Sequence, residues 1–129
     1  MRRLLFLLLF SLILAACTNG QPSLVLGTEK LELGDVVNGE IVSQEVAVRN
    51  EGDAPLVVEA VSTSCGCTQA TLEPMTIQPG GSAVLHIEFD SGAHGPDLTG
   101  MLVRQVFIAS NDPELPEAVL AISANILPP

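Results

Sequence analysis

The chain of 129 residues has no tryptophan and no tyrosine, and four phenylalanines are its whole aromatic complement. Cations are scarce too: five Lys and Arg stand against fifteen Asp and Glu, for a formal net charge of -10. Beyond Arg2 and Arg3, the only strong cations are Lys30, Arg49 and Arg104. With no basic patch, the chain has no electrostatic footprint for DNA or RNA, so no nucleic-acid partner is expected, and anionic lipid headgroups should repel it. The acidic residues are scattered, as on a solvated surface that keeps an exported protein soluble, and they would attract a basic partner or a metal ion. Enzyme signatures are missing as well. No Ser/His/Asp constellation, nucleophile elbow, phosphate loop or zinc-protease helix occurs, and Gly80-Gly81 reads as a turn. A non-enzymatic protein is expected.

What is present begins with "MRRLLFLLLFSLILAAC". Two arginines, an apolar run and a small-residue end make an export signal, and the polar "TNGQPS" that follows has no stop-transfer charge. Leu14-Ala15-Ala16-Cys17 resembles a bacterial lipobox. On that reading residues 1–16 are a lipoprotein signal peptide, Cys17 becomes the lipidated first residue, and 17–23 form a short linker ahead of a domain over 24–129. The alternative is an ordinary signal peptide cut after Ala16. Thr18 is not the aspartate that commonly marks inner-membrane retention, so the expected location is the bacterial cell envelope, at the outer membrane if the cell is Gram-negative. Lipid on Cys17 leaves Cys65 and Cys67 as an even pair in an oxidising compartment.

After the linker, turn residues interrupt the chain every eight to twelve residues or so, and the segments between them alternate, the pattern of an all-β sandwich. In "AVLHIEFD", Ala83, Leu85, Ile87 and Phe89 share a face. Leu102, Val106 and Ile108 share one with Arg104, and Leu120, Ile122, Ala124 and Ile126 share another. With "KLELGDV", "IVSQEVAVRN", "PLVVEAVSTS" and "QATLEP" this gives about seven strands, joined by "NEGDAP", "PMTIQPGG", "DSGAHGPD" and "SNDPELP" as turns. The fold class is all-β, a single immunoglobulin-like sandwich without the tryptophan and long-range disulfide of antibody domains.

Ser64-Cys65-Gly66-Cys67-Thr68, Pro79-Gly80 and Ser110-Asn111-Asp112-Pro113, within "RNEGDAPLVVEAVSTSCGCT", "IQPGGSAVLHIEFD" and "ASNDPELPEAVLAISANI", carry a more specific resemblance. They resemble the bacterial domain-of-unknown-function family 1573, itself similar to the Hydin and major-sperm-protein type of immunoglobulin-like domain. The resemblance implies the fold and assigns no activity. It suggests by analogy a protein-binding module whose partner is another envelope protein, reached by edge-strand pairing or loop contacts. The "GAHGPD" loop departs from the basic or hydroxyl residues expected there.

If successive strands alternate in direction, the loop Asp90 to Leu98 should meet Cys65 and Cys67 at one end of the sandwich, with the loop Gly34 to Glu40 beside it. Several chemistries are then open to the pair. A Cys65–Cys67 disulfide closes a loop so short that its entropic stabilisation is only about 1.6 kcal/mol, and Gly66 would supply backbone angles closed to other residues. As a metal clip, both sulfurs could hold Cu(I) or Zn(II), with His94, Asp97 and Met101 as supporting ligand candidates. Thiol redox chemistry needs a lowered pKa, for which the acidic surround offers no source. No cofactor is expected if the pair is a disulfide; copper or zinc is the alternative. His86, beside Glu88, reads as an exposed strand residue.

Overall fold

Alternation of apolar and polar side chains fixes each strand's inward face, and the computed structural model, which describes residues 19–129, closes those faces on each other as two sheets. The strands are β1 (Leu24–Leu26), β2 (Lys30–Val37), β3 (Ile41–Asn50), β4 (Leu56–Thr63), β5 (Thr68–Glu73), β6 (Thr76–Ile77), β7 (Ser82–Asp90), β8 (Gly100–Ser110) and β9 (Glu117–Leu127). One sheet has the order β1-β3-β7-β5 and the other β2-β9-β8-β4-β6. All pairings are antiparallel except β2 with β9. The export signal and Cys17 lie outside the described residues.

The immunoglobulin-like sandwich is as expected, with nine strands in place of seven. The additions are β1 and β6, of three and two residues. Segments so short carry no readable alternation. Thr76 and Ile77, read as turn, instead pair with Val57 and Leu56. In β2, Gly34 adopts φ 72°, where the pairing with β9 slips between Glu32 and Asp35. A residue with a Cβ is strained there, so glycine suits the bulge.

The main core joins Val46, Val48, Leu85 and Ile87 of the first sheet to Leu56, Val58, Val106, Ile108, Leu120 and Ile122 of the second. A smaller cluster of Val36, Cys67, Phe89, Ala124 and Ile126 fills one end. The opposite end is tied by polar side chains. Asn50, fully buried, accepts from the N–H groups of Ser23 (3.2 Å) and Gly52 (3.0 Å). Its amide donates to the carbonyls of Ala54 (2.8 Å) and Ile77 (2.9 Å). Both N–H donors and both oxygen lone pairs of that buried amide are therefore used.

Asp112 is the second tie. Its carboxylate accepts from the N–H groups of Leu24 (2.8 Å), Glu114 (2.9 Å) and Leu115 (3.1 Å). Burial works to raise its pKa, but these backbone donors together outweigh it and hold the carboxyl below its usual value. The "SNDPELP" turn is thereby fastened to β1, which explains how so short a strand is kept in place.

Candidate functional site

The turn Ser64 to Cys67 crosses from β4 in one sheet to β5 in the other, closing the end of the sandwich. Both sheets hold it. Ser64 N–H donates to Gln105 O of β8 and Gln105 N–H donates to Ser64 Oγ, each at 2.9 Å, while Asp90 N–H of β7 donates to Cys67 O at 2.8 Å. Thr63 Oγ1 lies 3.0 Å from Cys65 O and 2.9 Å from Thr68 O, bracketing the turn. The Cys65 and Cys67 sulfurs are in close contact, with their Cα atoms 5.3 Å apart. Cys67 is buried against Phe89, Val36 and Ile126, whereas Cys65 is half-buried.

Gly66 corrects one expectation. It is not among the glycines with positive φ, and a Cβ built on it would meet nothing within 4 Å. The turn therefore does not need a glycine's special backbone angles to bring the sulfurs together. The direction of β4 and β5 does that, by making the chain reverse between two sheets.

The loop between β7 and β8 does reach this end, as alternating strand directions require. It places His94 Nε2 3.7 Å from Cys65 Sγ, and one ligand atom each from Cys65, Cys67 and His94 lie within 4.8 Å of one another. The loop is held by Asn38, a buried residue after β2 whose amide donates to Gly95 O and Leu98 O, both at 2.9 Å. Ser91 completes the fastening: Gly39 N–H donates to its Oγ at 3.0 Å, and its hydroxyl lies 2.7 Å from Glu40 O and 2.9 Å from Val37 O. Gly92 packs so closely on Gly39 that an added Cβ would sit 3.0 Å from the Gly39 Cα.

The other ligand candidates stand elsewhere. Asp97 is exposed in the same loop and is not part of the Cys65, Cys67 and His94 group. Met101 is 72% exposed. The alternation of β8 points its neighbour Leu102 at the cluster containing Cys67, and so points Met101 outward, beside Asp35 and Asn125. Arg104 has the same parity as Leu102, and its Nε is buried with no hydrogen-bond partner. His86 sits on the outer face of the four-stranded sheet, its Nδ1 3.1 Å from Glu45 Oε1.

Asn38 and Ser91 carry the loop geometry, and neither stands out in the sequence. The Asn38-Gly39 pair is a turn signal, but which distant carbonyls its amide meets is set by the assembled sandwich. A second missed feature is the outer face of the five-stranded sheet. Val57, Met101, Val103 and Val119 are exposed there, Phe107 lies directly opposite Val119, and the outward row of β8 from Met101 to Ala109 has no charged residue. Its signal is "LVRQVF", where both parities are apolar. The middle of the other sheet's outer face is polar, lined by Ser43, Glu45, Gln69, Thr71, His86 and Glu88 around an open depression of about 620 Å³, with Ile41 and Val84 exposed beyond it.

Residues 24–126 match the family model described as protein of unknown function (DUF1573). No curated protein matches the chain. Among solved structures, a protein of unknown function from Porphyromonas gingivalis W83 is similar at 25% identity and TM-score 0.72 over 88% of this chain. This chain spans 51% of that one, about half its length. The ASH/PapD-like domain 7 of human CEP192 matches at 10% identity and TM-score 0.63, covering 84% of this chain and 88% of that domain. The YadV chaperone matches at 17% identity and TM-score 0.55, covering 81% and 51%. The last two likenesses establish the fold only.

Proposed function

The chain belongs to the DUF1573 family, and from that premise we propose that it is a non-enzymatic protein-binding module of the bacterial cell envelope, anchored by lipid on Cys17. It docks another envelope protein on the outer face of its five-stranded sheet. The observation that carries this reading is the difference between the middles of the two solvent faces: one is polar, around His86 and Glu45, and the other presents exposed Val57, Met101, Val103 and Val119. A central strand that presents apolar side chains to solvent with no charge in its outward row has the composition of an interface core. Edge pairing has less support. Three of the four edges are guarded: β1 and β6 are three and two residues long, and β2 carries Lys30, Glu32, Asp35 and a bulge, devices that discourage pairing, which leaves the six residues of β5 as the open edge.

The anchor fits this geometry. Gln21 N–H donates to Asp53 and Ser23 N–H to Asn50, so the chain enters the domain at the Asn50 end. The eight residues of β4 separate that end from the Cys65 turn by about 25 Å. A lipid on Cys17 would leave the sheet faces accessible and direct the Cys65 end away from the membrane.

The experiment places a photo-crosslinking residue at Val103, or at Thr71 on the polar face, in the full-length chain in its own cells. A discrete adduct at position 103 that is absent at 71 and is removed by Val119→Glu is the expected result. Adducts at neither position, or equally at both, would refute docking on this face.

A further inference from the structure

Two sulfurs and an imidazole nitrogen converge at the end of the sandwich, where Cys67 packs in the apolar cluster but other groups supply most of the hydrogen bonds. The turn is held by the backbone, Thr63 and Ser64, and the loop is held by Asn38 and Ser91. His94 itself is exposed, and Cys65 Sγ is its only side-chain partner among the described residues.

We propose that the chain, with Cys65 and Cys67 in the dithiol state, binds one Cu(I) ion through Cys65 Sγ, Cys67 Sγ and His94 Nε2. On binding, each thiol releases its proton to solvent, and the neutral imidazole donates its free lone pair. Copper keeps its oxidation state. The distances fit. An ion about 2.3 Å from a sulfur and about 2.0 Å from an imidazole nitrogen, with about 120° between them, holds those atoms about 3.7 Å apart. That is the Cys65 Sγ to His94 Nε2 distance of 3.7 Å. The same geometry needs the two sulfurs about 4 Å apart, an opening that Cα atoms 5.3 Å apart allow by side-chain rotation.

The donor set selects the metal. Thiolates favour soft ions, and Cu(I) is satisfied by three ligands, whereas a structural zinc site takes four. Among the described residues no fourth His, Cys, Asp or Glu belongs to the group. The Cys67 N–H donates to Cys65 Sγ at 3.0 Å, the outer-sphere bond that stabilises a ligating thiolate. Apolar Phe89, Val36 and Ile126 back Cys67, so hydration competes little for a weakly hydrated ion. The fifteen acidic residues against five basic ones draw cations toward the domain.

The test uses the full-length chain in detergent, reduced by a phosphine under anaerobic conditions and titrated against the Cu(I) chromophore bicinchoninate. Wild type should withdraw one equivalent of copper, and X-ray absorption of that sample should show two sulfurs and one nitrogen. Cys65→Ser and Cys67→Ser should withdraw none, as should wild type whose thiols were first joined by diamide, which takes up the two protons and two electrons. His94→Gln should weaken binding at least tenfold, since outer-sphere losses alone cost that much. His94 is exposed, so its replacement tests the site without threatening the fold, which circular dichroism verifies. Failure of reduced wild type to compete, wild-type affinity in His94→Gln, or tighter binding of Zn(II) than Cu(I) would each overturn the proposal. None of these outcomes bears on docking at Val103, so the two readings fail separately.

Discussion

Asn50 should be the most costly polar residue to replace, and its two substitutions should behave differently with pH. Asn50→Ala leaves four groups without their partner: Ser23 N–H, Gly52 N–H, Ala54 O and Ile77 O. Water can reach the three part-buried ones, leaving a net loss of about 1 kcal/mol each, while the buried Ile77 carbonyl loses up to about 3. The total of roughly 4–6 kcal/mol is a large share of the 5–15 kcal/mol typical of a domain. Asn50→Asp keeps both acceptor bonds but turns an oxygen toward the carbonyls of Ala54 and Ile77, which the amide met at 2.8 and 2.9 Å. Burial and those carbonyls disfavour the carboxylate, so the folded-state pKa of this aspartate lies above its unfolded value. Its deficit is therefore smallest below the unfolded pKa and grows as pH rises through the folded one. With no tryptophan or tyrosine to report fluorescence, the assay is urea unfolding followed by far-ultraviolet circular dichroism. At a slope of about 2 kcal/mol per M, Asn50→Ala should lower the midpoint by about 2–3 M at pH 7.5. The gap between Asn50→Asp and wild type should narrow at pH 4.5. An Asn50→Ala loss under 1 kcal/mol, on the order of a single exposed hydrogen bond, or a pH-independent Asp deficit would refute the argument.

Asp112 predicts the opposite pH dependence in the unmodified protein. Its folded pKa is lowered, so the stability it contributes is present above the unfolded value near 3.9 and is lost as pH falls through the folded one. Asp112→Asn should remove part of the acid sensitivity of unfolding as pH falls below the unfolded value, while lowering stability at pH 7. An acid-unfolding curve unchanged in slope would count against it. For the anchor, Cys17→Ser should shift the protein from the membrane to the soluble envelope fraction and abolish labelling by an alkyne fatty acid; continued membrane retention with no label in wild type would dismiss lipidation.

The β elements were legible because β7, β8 and β9 bury every second residue, and a period of two is visible in a line of text. β1 and β6 were not, because their places depend on Asp112 and on the partner residues Leu56 and Val57. Among the site residues, Cys65 and Cys67 announce themselves by spacing, and His94 follows from strand direction. Met101 shares the region by number but not by parity, since one step along a strand turns a side chain to the other face. The uncharged outer face of β8 was hidden because apolar residues of both parities read simply as a buried strand.

By itself, then, the sequence determined the all-β class, the inward faces, most of the turn positions, the acidic character and the paired thiols. These are properties of local periodicity and composition, which need no knowledge of what lies across the sandwich. Only the tertiary structure decided which loops share an end, that Asn38 fastens the loop bearing His94, and that Asn50 and Asp112 tie down the opposite end. Those outcomes rest on hydrogen bonds between residues 27 to 88 positions apart, and such partners are chosen by how two twisted sheets stack, which no stretch of neighbouring residues encodes.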